Sequence, residues 1–185
     1  MKTLSYALAS LLFGSTLAAA APDFTLVSPP PPAHPALAAS DGASPIEPTT
    51  LVNFANDSYQ LDSASVSQVR DVAAWMKSHP NENVVVQGFT DRTGSHAYNV
   101  GLAKRRAERV RDHIVQQGVA AERVVIATYG DRDAAHREDE SDRRVIVFAS
   151  TRAPDELAAS VLASTKADEV LWTSNGSQLQ EQRNR

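Results

Sequence analysis

The sequence contains no cysteine among its 185 residues. That excludes a disulfide framework, a thiol nucleophile, a thiolate metal site and lipid attachment through an N-terminal cysteine after export. An excess of basic charge is missing too. The formal net charge is −4, and non-specific nucleic-acid affinity comes mainly from basic residues meeting phosphate, so nucleic acid is excluded as a general partner. Catalytic signatures are equally scarce. The histidines, His34, His79, His96, His113 and His136, form no H-E-x-x-H pair, and no serine sits in a G-x-S-x-G elbow. His96 reads as a solvent-facing loop residue. The acidic run from Asp131 to Asp142 has His136 where a calcium loop needs glycine, and it reads as a solvated charged loop. No metal, cofactor or catalytic residue is assigned, and the chain is expected not to be an enzyme.

Proline is nearly absent outside one segment. Eight of the ten prolines lie between Pro22 and Pro48, and Pro29 to Pro32 run unbroken. Such a run donates no backbone hydrogen bonds and favours the extended polyproline II form. Residues 21–49 therefore read as a semi-stiff spacer, reaching on the order of 90 Å if fully extended at roughly 3.1 Å per residue. Ahead of it, Lys2, an apolar stretch from Leu4 to Leu17 and small residues from Ala18 to Ala21 match a secretory signal peptide over residues 1–20, expected to be cleaved near Ala20 or Ala21. The apolar stretch falls short of the roughly 20 residues that a transmembrane span needs.

Residues 50–150 carry the pattern of one domain. Thr50 to Ala55 is a β-branched and aromatic run ending at Asn56-Asp57-Ser58. Asp62-Ser63 offer an N-cap for a helix whose apolar residues, Val69, Val72, Ala73 and Met76, recur at helical spacing and which must stop before Pro80. Further strands are expected over Asn83 to Phe89, around Val124-Val125-Ile126 and over Val145 to Phe148. A second helix is expected from Ala97 to Gln117, with Gly118 as its C-cap. The order βαβαββ implies an α+β two-layer sandwich, a mixed sheet with both helices on one face. If the first helix is a crossover, the first two strands run parallel with their C-terminal ends side by side. The loops Asn56–Gln60 and Thr90–His96 then form one rim, where open sheets place ligands. Residues 151–185 read as an extension, partly helical from Pro154 and frayed from Ser174 onward.

Two residues on that rim stand out. Asp91 leaves the second strand beside the start of the second helix, as a capping or Asx-turn residue or as a ligand group. On a helical wheel with about 100° per residue, Ala103, Ala107, Val110 and Ile114 form the buried stripe and Arg105 points outward. Asn99 and Arg106 fall on the stripe's shoulder. Arg106 is either an arginine snorkelling from the core edge or the partner of Asp91. A guanidinium suits a carboxylate, a carboxylate suits an ammonium group, and a helix N-terminus adds donors. Together they suit a small zwitterion.

The stretch Gly88-Phe89-Thr90-Asp91-Arg92-Thr93-Gly94-Ser95, followed by Tyr98-Asn99, Gly101-Leu102, Arg105-Arg106-Ala107 and Val110, resembles the OmpA-like domain. This is the periplasmic peptidoglycan-binding module of outer-membrane protein A, the peptidoglycan-associated lipoprotein and the flagellar stator protein MotB. Val52-Asn53-Phe54-Ala55 and Asp142-Arg143-Arg144-Val145 fall where the family has its first-strand and NRRV-type motifs. The resemblance implies a periplasmic protein that binds peptidoglycan through the diaminopimelate of its stem peptide, associated with the cell wall or outer membrane. Asp91 would meet the ammonium and Arg106 the carboxylate. Asn99, Thr93 and Leu102 would line the pocket, and Asn56 with Asp57 would border it. The spacer or the extension would be the place to contact other envelope proteins. Two alternatives stay open: the same fold as a structural or protein-interaction module with a degenerate pocket, or, less favoured, a cell-wall hydrolase.

Overall fold

The computed structural model describes residues 49–135, 137–164, 166–173 and 179–183. The expected signal peptide and nearly all of the proline-rich spacer lie outside them.

The elements run β1 (Thr50–Asn53), α1 (Ser63–Ser78), β2 (Asn83–Phe89), α2 (His96–Gln116), β3 (Val124–Gly130), β4 (Arg144–Ser150), α3 (Pro154–Ser164), β5 (Glu169–Thr173) and β6 (Leu179–Arg183). Local chemistry sets their ends. The Asp62 side chain accepts from Ser65 N at 2.7 Å and opens α1, and His79, the residue before Pro80, closes it. Ser95 caps α2 by accepting from Tyr98 N at 3.2 Å. Gly118 follows α2 at a φ of +92°, a left-handed conformation that glycine adopts without a Cβ clash.

Among the described residues, the six strands form one mixed sheet in the order β1-β4-β2-β3-β5-β6, with only β2 and β3 pairing in parallel. One expectation changes here. β1 and β2 do point the same way, since each is antiparallel to β4, but they are not neighbours. β4 lies between them, pairing Asn53 with Arg144 on one side and Gly88 with Val145 on the other. Hydrophobic pattern identifies strands but does not fix their lateral order, and β4 arrives from far along the chain.

Side chains alternate across the sheet. Val84 and Val86 face α1 and α2 and join a core with Val69, Met76, Val110 and Ile114. Val85 and Phe89 face the opposite way and pack with Leu157, Ala158 and Val161 of α3. The helices α1 and α2 thus share one face, as expected, while α3 covers the other. The extension, read from sequence as partly helical and then frayed, also adds β5 and β6 to the sheet. Residues 174–178 lie outside the described set. The sheet and α2 approach each other closely at Gly88, where a Cβ would stand 2.3 Å from the Ala103 carbonyl oxygen. Only a glycine permits this contact, which seats α2 against the C-terminal end of β2.

Candidate functional site

The strands β1 and β2 end on the same edge of the sheet, and the antiparallel β4 begins between them. Phe54 N donates to Arg143 O at 2.8 Å, which places Arg143, the residue before β4, beside the loops that leave β1 and β2. A cavity of about 270 Å³ opens there. All seven residues singled out from the sequence line it: Asn56, Asp57, Asp91, Thr93, Asn99, Leu102 and Arg106. Gly94, Tyr98 and Arg143 complete the wall.

Asp91 does two jobs. Its Oδ1 accepts from Thr93 N at 3.0 Å, an Asx turn that shapes the loop after β2. Its Oδ2 lies 3.2 Å from Arg143 Nη1. Both side chains of this pair are mostly buried. Arg143 Nε also donates to Phe54 O at 3.3 Å, so one guanidinium ties the end of β1 to the carboxylate after β2.

Arg106 has neither of the arrangements expected of it. It is not a shoulder residue with its head in water, because it is 0% exposed. Nor is it ion-paired with Asp91, whose direct partner is Arg143. Arg106 instead donates from Nε to Ser58 O at 2.8 Å, from Nη1 to Phe89 O at 3.1 Å and from Nη2 to Ala55 O at 3.1 Å. Its guanidinium also stands 5.2 Å from the centre of the Phe54 ring. These bonds staple the β1–α1 loop to the end of β2. They spend three of the five N–H donors, leaving one on each Nη without a partner among the described residues. Carbonyl oxygens carry no net charge. Burial accordingly pushes the guanidinium pKa down to about 10, with Asp91 pulling it up through space and Arg143 opposing. The pocket therefore encloses a cation that no carboxylate touches directly among the described residues.

Asn99 is fully inside and donates from Nδ2 to Asp131 Oδ2 at 3.1 Å. The other oxygen of Asp131 lies 2.5 Å from His96 Nδ1, and His96 Nε2 lies 3.3 Å from Asp168 Oδ1. His96 is exposed, as expected of it, yet it bridges two carboxylates. The hydrogen bond to Asp131, with added attraction from Asp168, holds its pKa above the ordinary 6.5. Asp142, read as part of a solvated charged loop, is buried, accepting from Ala135 N at 2.9 Å and pairing with Arg144 at 3.0 Å. On the outer rim, the Tyr98 hydroxyl donates to Asp57 Oδ1 and joins α2 to the β1–α1 loop. That bond keeps the Tyr98 phenol pKa above its usual value.

Arg143, Tyr98 and Gly94 are the lining residues that the sequence reading did not select. Arg143 belongs to the quoted Asp142-Arg143-Arg144-Val145 run, but that run enters the pocket only because β4 lies between β1 and β2. Tyr98 falls on the solvent side of the wheel, and only its hydroxyl contact with Asp57 brings it to the rim. Among the described residues, no group of three or more His, Cys, Asp or Glu side chains is placed to hold a metal ion.

The chain is 35% identical over 108 residues to a peptidoglycan-associated lipoprotein of Legionella pneumophila, covering 55% of this chain and 61% of that protein. It is 38% identical over 95 residues to outer membrane porin F of Pseudomonas fluorescens, covering 51% of this chain and 29% of the porin. The chain thus spans less than two thirds of the length of either relative. Among solved structures, the peptidoglycan-associated lipoprotein from Burkholderia pseudomallei superposes with a TM-score of 0.53 at 28% identity, over 60% of this chain and 97% of that one. The OmpA family model fits residues 53–147, a span that holds β2, α2, β3 and every residue lining the pocket; the chain belongs to the OmpA family.

Proposed function

We propose that this protein binds peptidoglycan non-covalently by taking the zwitterionic end of diaminopimelate, in the stem peptide, into the pocket between β1, β2 and α2. The observation that carries this reading is the state of Arg106: fully buried, held by three neutral carbonyls and lacking a directly paired carboxylate among the described residues. A ligand carboxylate supplies the missing anion and accepts the two remaining N–H groups as a fork. The Thr93 hydroxyl, buried and without a hydrogen-bond partner among the described residues, lies on the same wall and can donate to it. Asp91 stands close enough to Arg106 to act on its charge, and it meets the ligand ammonium. A pocket with two arginines and two aspartates favours a ligand that carries both signs over one that carries either alone.

Binding of this kind tethers or docks the protein to the cell wall without turnover. The relatives named for peptidoglycan association and for the outer membrane support a place in the cell envelope. We extend this to the periplasm, reached through the N-terminal signal peptide, with the spacer or the outer surface of the extension as the place to contact other envelope proteins.

Competition tests the ligand assignment. Soluble peptides ending in diaminopimelate should displace the protein from purified sacculi. Peptides with lysine at that position keep the ammonium and lose the adjoining carboxylate, and they should compete far less. Equal competition by the two would remove Arg106 from the recognition. Absence of binding to sacculi would favour the module with a degenerate pocket, in which Arg106 is only a structural staple.

A further inference from the structure

Tyr59 and Tyr98 are 41% and 45% exposed, and they are the exposed large hydrophobic side chains of the described residues. They share a neighbour. The Arg105 guanidinium carbon lies 5.9 Å from the centre of each ring, so the three side chains form one strip, tyrosine, arginine, tyrosine, on the outer surface of α2 and the β1–α1 loop. The strip runs into the pocket, because Tyr98 lines the cavity and bonds to Asp57 on its rim. The helix turn that buries Arg106 presents Arg105 outward, so the buried and exposed cations are consecutive residues with opposite surroundings.

The chemistry of the strip selects a partner. A dry protein interface needs a contiguous apolar patch at its centre, and no aliphatic side chain among the large exposed hydrophobics joins these two rings. Each ring is amphipathic, with an apolar face and a polar tip, and stiff enough to bind at low entropic cost. A guanidinium between two such rings suits a chain of pyranose units. These offer apolar C–H faces for stacking and hydroxyl and acetamido oxygens as acceptors. We propose that Tyr59, Arg105 and Tyr98 bind the amino-sugar backbone from which the stem peptide branches, so that sugar and peptide are held by adjoining parts of one surface. This inference rests on the proposed peptide pocket.

The test compares two soluble ligands by calorimetric titration of the full chain. One is a stem peptide ending in diaminopimelate; the other is the same peptide carried on its N-acetylated disaccharide. The disaccharide form should bind about five- to tenfold more tightly. Tyr59→Ala and Arg105→Ala, neither of which lines the pocket, should abolish that increment and leave the affinity for the bare peptide unchanged. Tyr59→Phe, which keeps the ring, should retain it. Equal affinities of the wild type for the two ligands would overturn the proposal and leave the pocket assignment standing; that is also the result if the strip serves a protein partner. An increment that survives Tyr59→Ala and Arg105→Ala would overturn it as well. If neither ligand binds, the peptide pocket and the sugar strip fall together.

Discussion

Arg143 Nη1 and Asp91 Oδ2 lie 3.2 Å apart, joining the residue before β4 to the loop that follows β2. The pair occupies Asp91 and thereby leaves Arg106, its other cationic neighbour, without a direct anion. One carboxylate between two arginines gives the pocket a local positive surplus at its most deeply buried point. Asp57 balances it only at the exposed rim, where it is bonded to Tyr98.

Arg106 should matter to folding as well as to binding. Arg106→Ala strips hydrogen bonds from the carbonyls of Ala55, Ser58 and Phe89 and opens a cavity beneath them. Unfolding in urea should show a loss of about 3–5 kcal/mol. A loss of binding by this variant is therefore uninformative unless its fold is verified at the assay temperature. A midpoint unchanged from wild type would show that the three carbonyl bonds contribute little.

Much of this site was legible in the sequence, and the illegible part has a physical cause. The seven selected residues sit on local features: a strand end, an Asx turn and the inward edge of one helix. Helical periodicity identified Arg106 as the inward member of Lys104-Arg105-Arg106. Arg143 depends instead on which strand lies beside which, and a pattern of period two carries no information about that. The second core was hinted at by Val84-Val85-Val86 and Val124-Val125-Ile126. Continuous apolar runs mark strands covered on both faces, and the weak apolar face of Leu157, Val161 and Leu162 provides part of the second cover.

Covering that face should be essential to stability and remote from the pocket. Val161 is fully buried between α3 and the sheet. Val161→Asp places an unpaired charge there, and thermal unfolding should fall sharply, by more than about 3 kcal/mol in stability. The milder Val161→Ala should cost about 1–3 kcal/mol and leave ligand affinity unchanged. A change in affinity that exceeds the stability effect would couple the extension to the pocket.

His96 gives stability a pH dependence with a defined sign. Its folded pKa is raised, chiefly by the hydrogen bond to Asp131, above the ordinary 6.5. Charged His96 donates to both Asp131 and Asp168, so its contribution is complete below the unfolded value and is lost as pH rises through the folded one. Wild type should therefore lose stability between about pH 6 and the higher folded pKa by more than His96→Gln does. Parallel stability curves for the two proteins across that interval would contradict the bridge between α2, the end of β3 and the extension.

The most direct measurement of the central claim is cosedimentation with purified sacculi, comparing wild type with Asp91→Asn. Asparagine keeps the oxygen that accepts from Thr93 N and removes the charge offered to the ligand ammonium. The wild type should sediment with the sacculi, and the folded variant should bind about thirtyfold less tightly or weaker still, the loss expected when one partner of a buried charged contact is removed. Undiminished binding by folded Asp91→Asn would contradict the pocket as the site of peptidoglycan recognition.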